Sequence, residues 1–297
     1  MASIATSASP MRQRQRLSWA WLGVVPFFLF AIAFLITPAA WIVVQSFRDA
    51  RGAPTLANVQ GLFTPFILSA YIYSISLSLV TAIGGGIMGF LMAYAICVGG
   101  LPRWLRDATL SFSGVASNFA GIPLAFAFIA TIGQLGLVTR WLKTIGISLY
   151  PTFSLYGFWG LALVYLYFQI PLMVLLMAPA LEGLRRDWRE ACESLGGDGG
   201  HYWRAVALPI LLPSILGTMV LLFGNAFGAY ATAFQLTGGA SQGNLVTILI
   251  GAQVSSDALA NPGFGNALAL GMIVIMALTI AIYQPLQRQS ERWLRRE

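Results

Sequence analysis

Charged residues fall in a few short clusters along the chain, and long uncharged windows run between them, over 17–47, 52–102, 108–139, 144–181, 205–256 and 258–287. A helix needs about 20 apolar residues to cross the hydrocarbon core of a bilayer, and each window can hold one. The pattern predicts spanning helices near Leu17–Phe47, Ile67–Val98, Thr109–Leu135, Phe153–Ala180, Ala205–Gln235 and Ala267–Leu286. The expected fold class is all-α, a polytopic membrane helix bundle with about six transmembrane helices.

Windows 52–102 and 205–256 could each hold two spans, and the cations decide between six spans and eight. Lys and Arg are retained on the cytoplasmic side. Six spans with both ends inside place 13 cations inside (Arg12, Arg14, Arg16, Arg103, Arg106, Arg185, Arg186, Arg189, Arg204, Arg288, Arg292, Arg295 and Arg296) and 4 outside (Arg48, Arg51, Arg140 and Lys143). Eight spans would split them 9 to 8. Six spans follow, with both termini cytoplasmic. The surplus length becomes external loops at Gly52–Pro65 and Thr237–Gly265, the second with a short amphipathic helix at Leu245–Val254. These either receive an external partner or pack as a lid on the helix ends.

Composition agrees with the pattern. The chain of 297 residues is 58% hydrophobic and 9% charged, against roughly 45–50% and about 25% in soluble domains. The segments are a cytoplasmic tail 1–16, a first helix with external loop 17–66, a membrane domain 67–286 carrying a charged cytoplasmic loop 181–204, and a tail 287–297. Arg12, Arg14 and Arg16 before an apolar run also suit a signal peptide, but the run is about twice a usual h-region, so an uncleaved helix is expected. The net charge of +7 is spread over short loops. It reads as topology, with no nucleic acid as partner. Cys97 and Cys192 form neither a disulfide framework nor a metal site.

No predicted span carries a charge at its centre, whereas ion-coupled carriers usually bury one there. The polar residues within the spans are neutral, and Gln169, Asn225 and Tyr230 are candidates for lining a pore; the alternative for each is a bond to a neighbouring helix. Pro26, Pro38, Gly84–Gly86, Pro123, Pro171 and Pro179 are expected to interrupt spans. Gly85/Gly89 and Gly224/Gly228 have the spacing that lets helices approach closely.

The charged loop begins with helical character, with Glu182/Arg186 and Arg189/Glu193 at i,i+4 spacing. Gly196, Gly197, Gly199 and Gly200 then permit a sharp reversal. A second helix is expected from about His201, with Pro209 near its first turn. Asp187, Glu190 and Glu193 share a face but lack a nucleophile or metal partner, and the chain has no phosphate-binding Gly-Lys-Ser/Thr loop.

Glu190-Ala191-Cys192, three residues, Gly196, nine residues, Val206, one residue, Leu208-Pro209 resembles the cytoplasmic signature of permease subunits of binding-protein-dependent ABC importers, type I. Cys192 stands where that family has Ala, and Val206 where it has Ile. The resemblance implies a type I ABC importer permease fold covering about Ile67–Leu286, with the first helix an addition on the outside. It implies that Glu190, Ala191, Cys192, Gly196, Val206, Leu208 and Pro209 form a coupling helix region docking on a cytoplasmic ATPase dimer. A second permease subunit (copy or paralogue), an external substrate-binding protein and a bacterial inner membrane with its lipid complete the expected assembly. ATP and Mg would sit on the partner ATPase, with no cofactor on this chain and no enzyme activity of its own.

The segment Phe227–Gly239 resembles the equivalent region of importers for polyamines such as spermidine and putrescine, phosphonates, thiamine or ferric iron, and leaves the substrate open. The competing classes are a self-sufficient secondary carrier, a membrane-embedded enzyme and a non-transporting membrane anchor.

Overall fold

The computed structural model describes residues 20–49, 51–239, 245–255 and 262–294, and the side chains among them except at 20–23, 254, 255, 262 and 286–294. The expected tail 1–16, Arg295 and Arg296 lie outside the described residues, as do parts of the Thr237–Gly265 segment. The described chain is helical, apart from turns and one isolated antiparallel bridge between Arg48 and Pro54. Among the described residues, six segments are long and apolar enough to cross a membrane.

The first, α1 (Ala20–Ala31) and α2 (Thr37–Ser46), is one rod joined by a π turn at Ile32–Ile36. Phe27, Phe34 and Trp41 on it are exposed, as lipid-facing residues are. The outer connection holds the short helix α3 (Ala57–Gly61). Buried Asn58 pins it there by donating to Arg48 O at 2.8 Å. Next come α4 (Pro65–Cys97), α5 (Arg103–Asn118), α6 (Ile122–Ile132), α7 (Leu137–Thr144) and α8 (Phe158–Glu182). The charged loop contains α9 (Arg186–Ser194) and α10 (Gly199–Tyr202). A π turn at Trp203–Ala207 leads into α11 (Leu208–Phe227), followed by α12 (Ala231–Thr237), α13 (Val246–Ser255) and α14 (Pro262–Leu294).

The most extensive packing among the described helices is α4 against α8, and small residues permit it. A Cβ on Gly85 would lie 2.7 Å from Gln169 Cβ, and one on Gly89 would lie 2.5 Å from Met173 Cβ and 2.6 Å from Ile170 O. Gly224 receives Met276 in the same way. Interhelical hydrogen bonds add to the packing: Tyr71 Oη donates to Leu268 O at 2.6 Å, and Val246 N donates to Ser74 Oγ at 3.0 Å.

Several expectations are corrected. The third span is not one helix over Thr109–Leu135; the chain breaks at Phe119–Gly121, where Gly121 has φ +76° and Pro123 starts a new helix. The fifth, expected over Ala205–Gln235, breaks at Gly228–Tyr230. Gly84–Gly86, Pro171 and Pro179 interrupt nothing, because α4 and α8 run through them. The last helix outruns Ala267–Leu286 at both ends. The helix expected at Leu245–Val254 is present over Val246–Ser255 but is not amphipathic; its Val246 and Ile248 are buried where it packs on α4 and α14.

Both π turns have one cause. Each ends just before a helix whose second residue is proline, Pro38 or Pro209. Proline has no N–H to donate and crowds the carbonyl four residues back. The preceding residues slip by one, and Thr37 N and Leu208 N donate to the fifth carbonyl back, at Ile32 and Trp203.

Candidate functional site

The charged loop is a helix–turn–helix projecting from the ends of α8 and α11. Helix α9 ends in a Schellman motif: Gly197 N donates to Cys192 O at 2.9 Å and Gly196 N to Glu193 O at 3.0 Å, with Gly196 at φ +83°. Asp198 then caps α10, its Oδ1 accepting from His201 N at 2.7 Å. The reversal is therefore built from Gly196, Gly197 and Asp198; Gly199 and Gly200 belong to the next helix. Arg189 and Glu193 pair at 2.9 Å as expected, which raises the Arg189 pKa above its ordinary value. Glu182 and Arg186 do not pair, because α8 stops at Glu182 and the chain turns at Gly183–Arg185. Glu182 accepts instead from Arg106 of α5.

The two arms enclose an open groove of about 790 Å³, lined by Trp188, Ala191, Cys192, Gly196, Val206 and Ile210 among others. Ala191, Cys192, Gly196 and Val206 of the signature are thus brought together. Glu190 is exposed beside the groove without an ion pair among the described residues, and Leu208 and Pro209 lie beyond its lining. The second arm is anchored by Trp203, whose ring meets Tyr94 of α4 edge-on at 4.8 Å.

A second cavity, about 370 Å³, opens where α5 and α11 break, lined by Ser117, Gly121, Phe168, Asn225, Tyr230 and Thr232 among others. Asn225 and Tyr230 are on this wall. Gln169 is not: fully buried behind it, its Nε2 donates to Leu222 O at 2.7 Å and its Oε1 accepts from Asn225 Nδ2 at 3.3 Å. The bond to a neighbouring helix is the reading that holds for Gln169.

Residues 85–296 match the family of binding-protein-dependent transport system inner membrane components. The chain belongs to that family. This permease is 25% identical over 281 residues to a probable sulfate transport system permease protein of Nephroselmis olivacea, covering 93% of this chain and 92% of the relative. It is 27% identical over 219 residues to the molybdenum transport system permease protein of Mycobacterium bovis (73% and 78% covered). It is 25% identical over 270 residues to the spermidine/putrescine transport system permease protein of Haemophilus influenzae (88% and 92%). Its fold matches that of a bacterial ABC transporter involved in the import of the acidic polysaccharide alginate, with a TM-score of 0.68 and 16% identity over 92% of this chain and 95% of that one.

The permease is therefore an ABC transporter subunit for transport, with the importer permease fold. Two features of its loop escaped the sequence reading. Leu195 stands 89% exposed at the tip of α9, an apolar side chain that its place beside the glycines could have flagged. Arg106 joins the loop's base from a distant segment, and no local spacing signals that.

Proposed function

We propose that this permease forms half of the pathway of an ATP-driven importer, and that its charged loop is where ATP hydrolysis on a separate ATPase dimer is turned into movement. The observation that carries the reading is the groove at Trp188–Ile210. The charged loop presents a concave, partly apolar surface, rimmed by exposed Glu190 and Leu195, that the other described residues leave uncovered. A partner helix or loop would bury it. Ala191 keeps the wall low, and the turn at Gly196 sets the angle between the arms.

In this reading both termini and the loop are cytoplasmic in a bacterial inner membrane. ATP and Mg reside on the ATPase, and a second permease, copy or paralogue, completes the pore. An external binding protein delivers a small solute. Our first choice is an oxyanion, such as sulfate or a phosphonate, over a polyamine, thiamine or ferric iron. The polar groups of the cavity wall are the neutral side chains of Ser117, Asn225, Tyr230 and Thr232, which include hydroxyl and amide donors, and a polycation would find no carboxylate there.

Gly196→Pro and Glu190→Lys test the loop. Proline cannot adopt φ +83°, and lysine reverses the charge at the rim. We expect both variants to insert into the membrane while the complex with its ATPase loses solute uptake driven by ATP. Normal uptake per ATP in either variant would refute the docking role. Uptake of labelled sulfate and of labelled spermidine into cells with and without this chain tests the solute; dependence of spermidine uptake alone would reverse the preference.

A further inference from the structure

Glu182 is the last residue of α8, at the foot of the charged loop. Its Oε1 accepts from Arg106 Nη2 on α5, and Cys97 Sγ, at the end of α4, lies 3.9 Å from the same oxygen. Three membrane elements thus meet at one carboxylate. The backbone carries any movement of the loop directly into α8 and α11. It offers no such route to α5, whose Arg106 is 76 residues from Glu182 in sequence.

Helix α5 is suited to pass movement on. It is unbroken and proline-free from Arg103 to Asn118, and Arg106 to Ser117 spans about 16 Å along its axis. Its far end is the membrane cavity: Ser117, Ala120 and Gly121 line that wall, and Gly121 N donates to Thr232 Oγ1 at 2.7 Å. On the buried side of α5, Ser113 Oγ has no hydrogen-bond partner among the described residues.

We propose that the Arg106–Glu182 ion pair positions α5 against the loop and passes the loop's movement through α5 to the cavity wall. The two residues are positioning residues: neither lines the cavity or the groove. With side chains 34% and 43% exposed, the pair contributes little to stability, as suits a link that is made and broken in each cycle. The inference rests on the loop being the ATPase docking site.

The test uses the whole complex in right-side-out proteoliposomes loaded with ATP, with Ala120→Cys as reporter and a membrane-impermeant maleimide added outside. The readout is the ratio of labelling rates with and without ATP, alongside ATP hydrolysis. Arg106→Glu and Glu182→Arg should each lower that ratio about two- to fivefold, the range a half-exposed ion pair can transmit, with hydrolysis retained. The double variant, with the charges exchanged, should restore it. Glu182→Gln, which keeps the shape and removes the charge, should match the single reversals and serves if either fails to insert. Single variants with the unaltered ratio, or a double variant no better than the singles, would overturn the inference alone. A complex with the native pair and no response to ATP would overturn the docking role as well, and the inference with it.

Discussion

At position 89 the packing leaves room for a hydrogen atom and nothing larger. A methyl group there would press on Ile170 O, a backbone atom that cannot swing aside, and on Met173 Cβ. Overpacking of this kind costs about 1–3 kcal/mol, so Gly89→Ala should lower the thermal unfolding midpoint of the detergent-solubilised permease. Gly114→Ala is the control. It meets nothing within 4 Å and lies inside α5, where alanine is favoured over glycine by about 1 kcal/mol; its midpoint should hold or rise. The spacing of Gly85 and Gly89 made this contact readable in the sequence. What spacing could not show is which partner a polar side chain takes. Gln169, Asn225 and Tyr230 were all visible as neutral polar residues among apolar ones, yet only the fold puts Gln169 behind the wall and the other two on it. Glu182 went the same way: i,i+4 arithmetic assumes a continuous helix, and the turn at Gly183–Arg185 removed that condition.

Among the elements, the long apolar helices were legible because hydrophobic length is a property of the sequence alone. The breaks at Phe119–Gly121 and Gly228–Tyr230 were less so, since both lie inside apolar windows. Gly121 followed by Ile122-Pro123 was a stop and start signal that hydropathy overrode. Prolines misled in the other direction. Pro171 and Pro179 sit inside α8, while Pro209 makes the π turn at Trp203–Ala207. That turn adds one residue to the cycle of the helix, which shifts the loop's orientation relative to α11 by about 100° compared with a regular α-helix. Pro209→Ala supplies the missing N–H and removes the crowding, so the turn can relax to α geometry and swing the groove away from its present direction. We expect this variant to insert normally, while hydrolysis by its complex no longer drives uptake. Equal uptake per ATP in the variant and the unaltered protein would show that the π turn has no part in coupling.

For the whole molecule, the arrangement of ends turns a counting argument into a geometric one. Cys97, Arg106 and Glu182 meet at one end of the bundle, and Trp203 of the charged loop packs on Tyr94 beside them. At the other end Asn58 holds Arg48 O, and the start of α14 packs so tightly that a Cβ on Gly263 would lie 2.4 Å from that same oxygen. The first end carries Arg103, Arg106, Arg185, Arg186, Arg189 and Arg204, and by the rule that cations remain in the cytoplasm it is the inner one in the orientation we propose. Cysteine labelling in right-side-out vesicles checks this. Gln60→Cys and Ile147→Cys, both at exposed positions, should react with an impermeant maleimide added outside. Gly199→Cys has open space around it and should react only once the vesicles are opened, as should the native Cys97 and Cys192. The opposite pattern would put the charged loop outside, where no ATPase could reach it, and would remove the basis for coupling altogether. A pattern in which positions 60 and 147 label from different sides would break the six-span count itself, because two crossings, α4 and the α5–α7 segment, separate them and must return the chain to the same side.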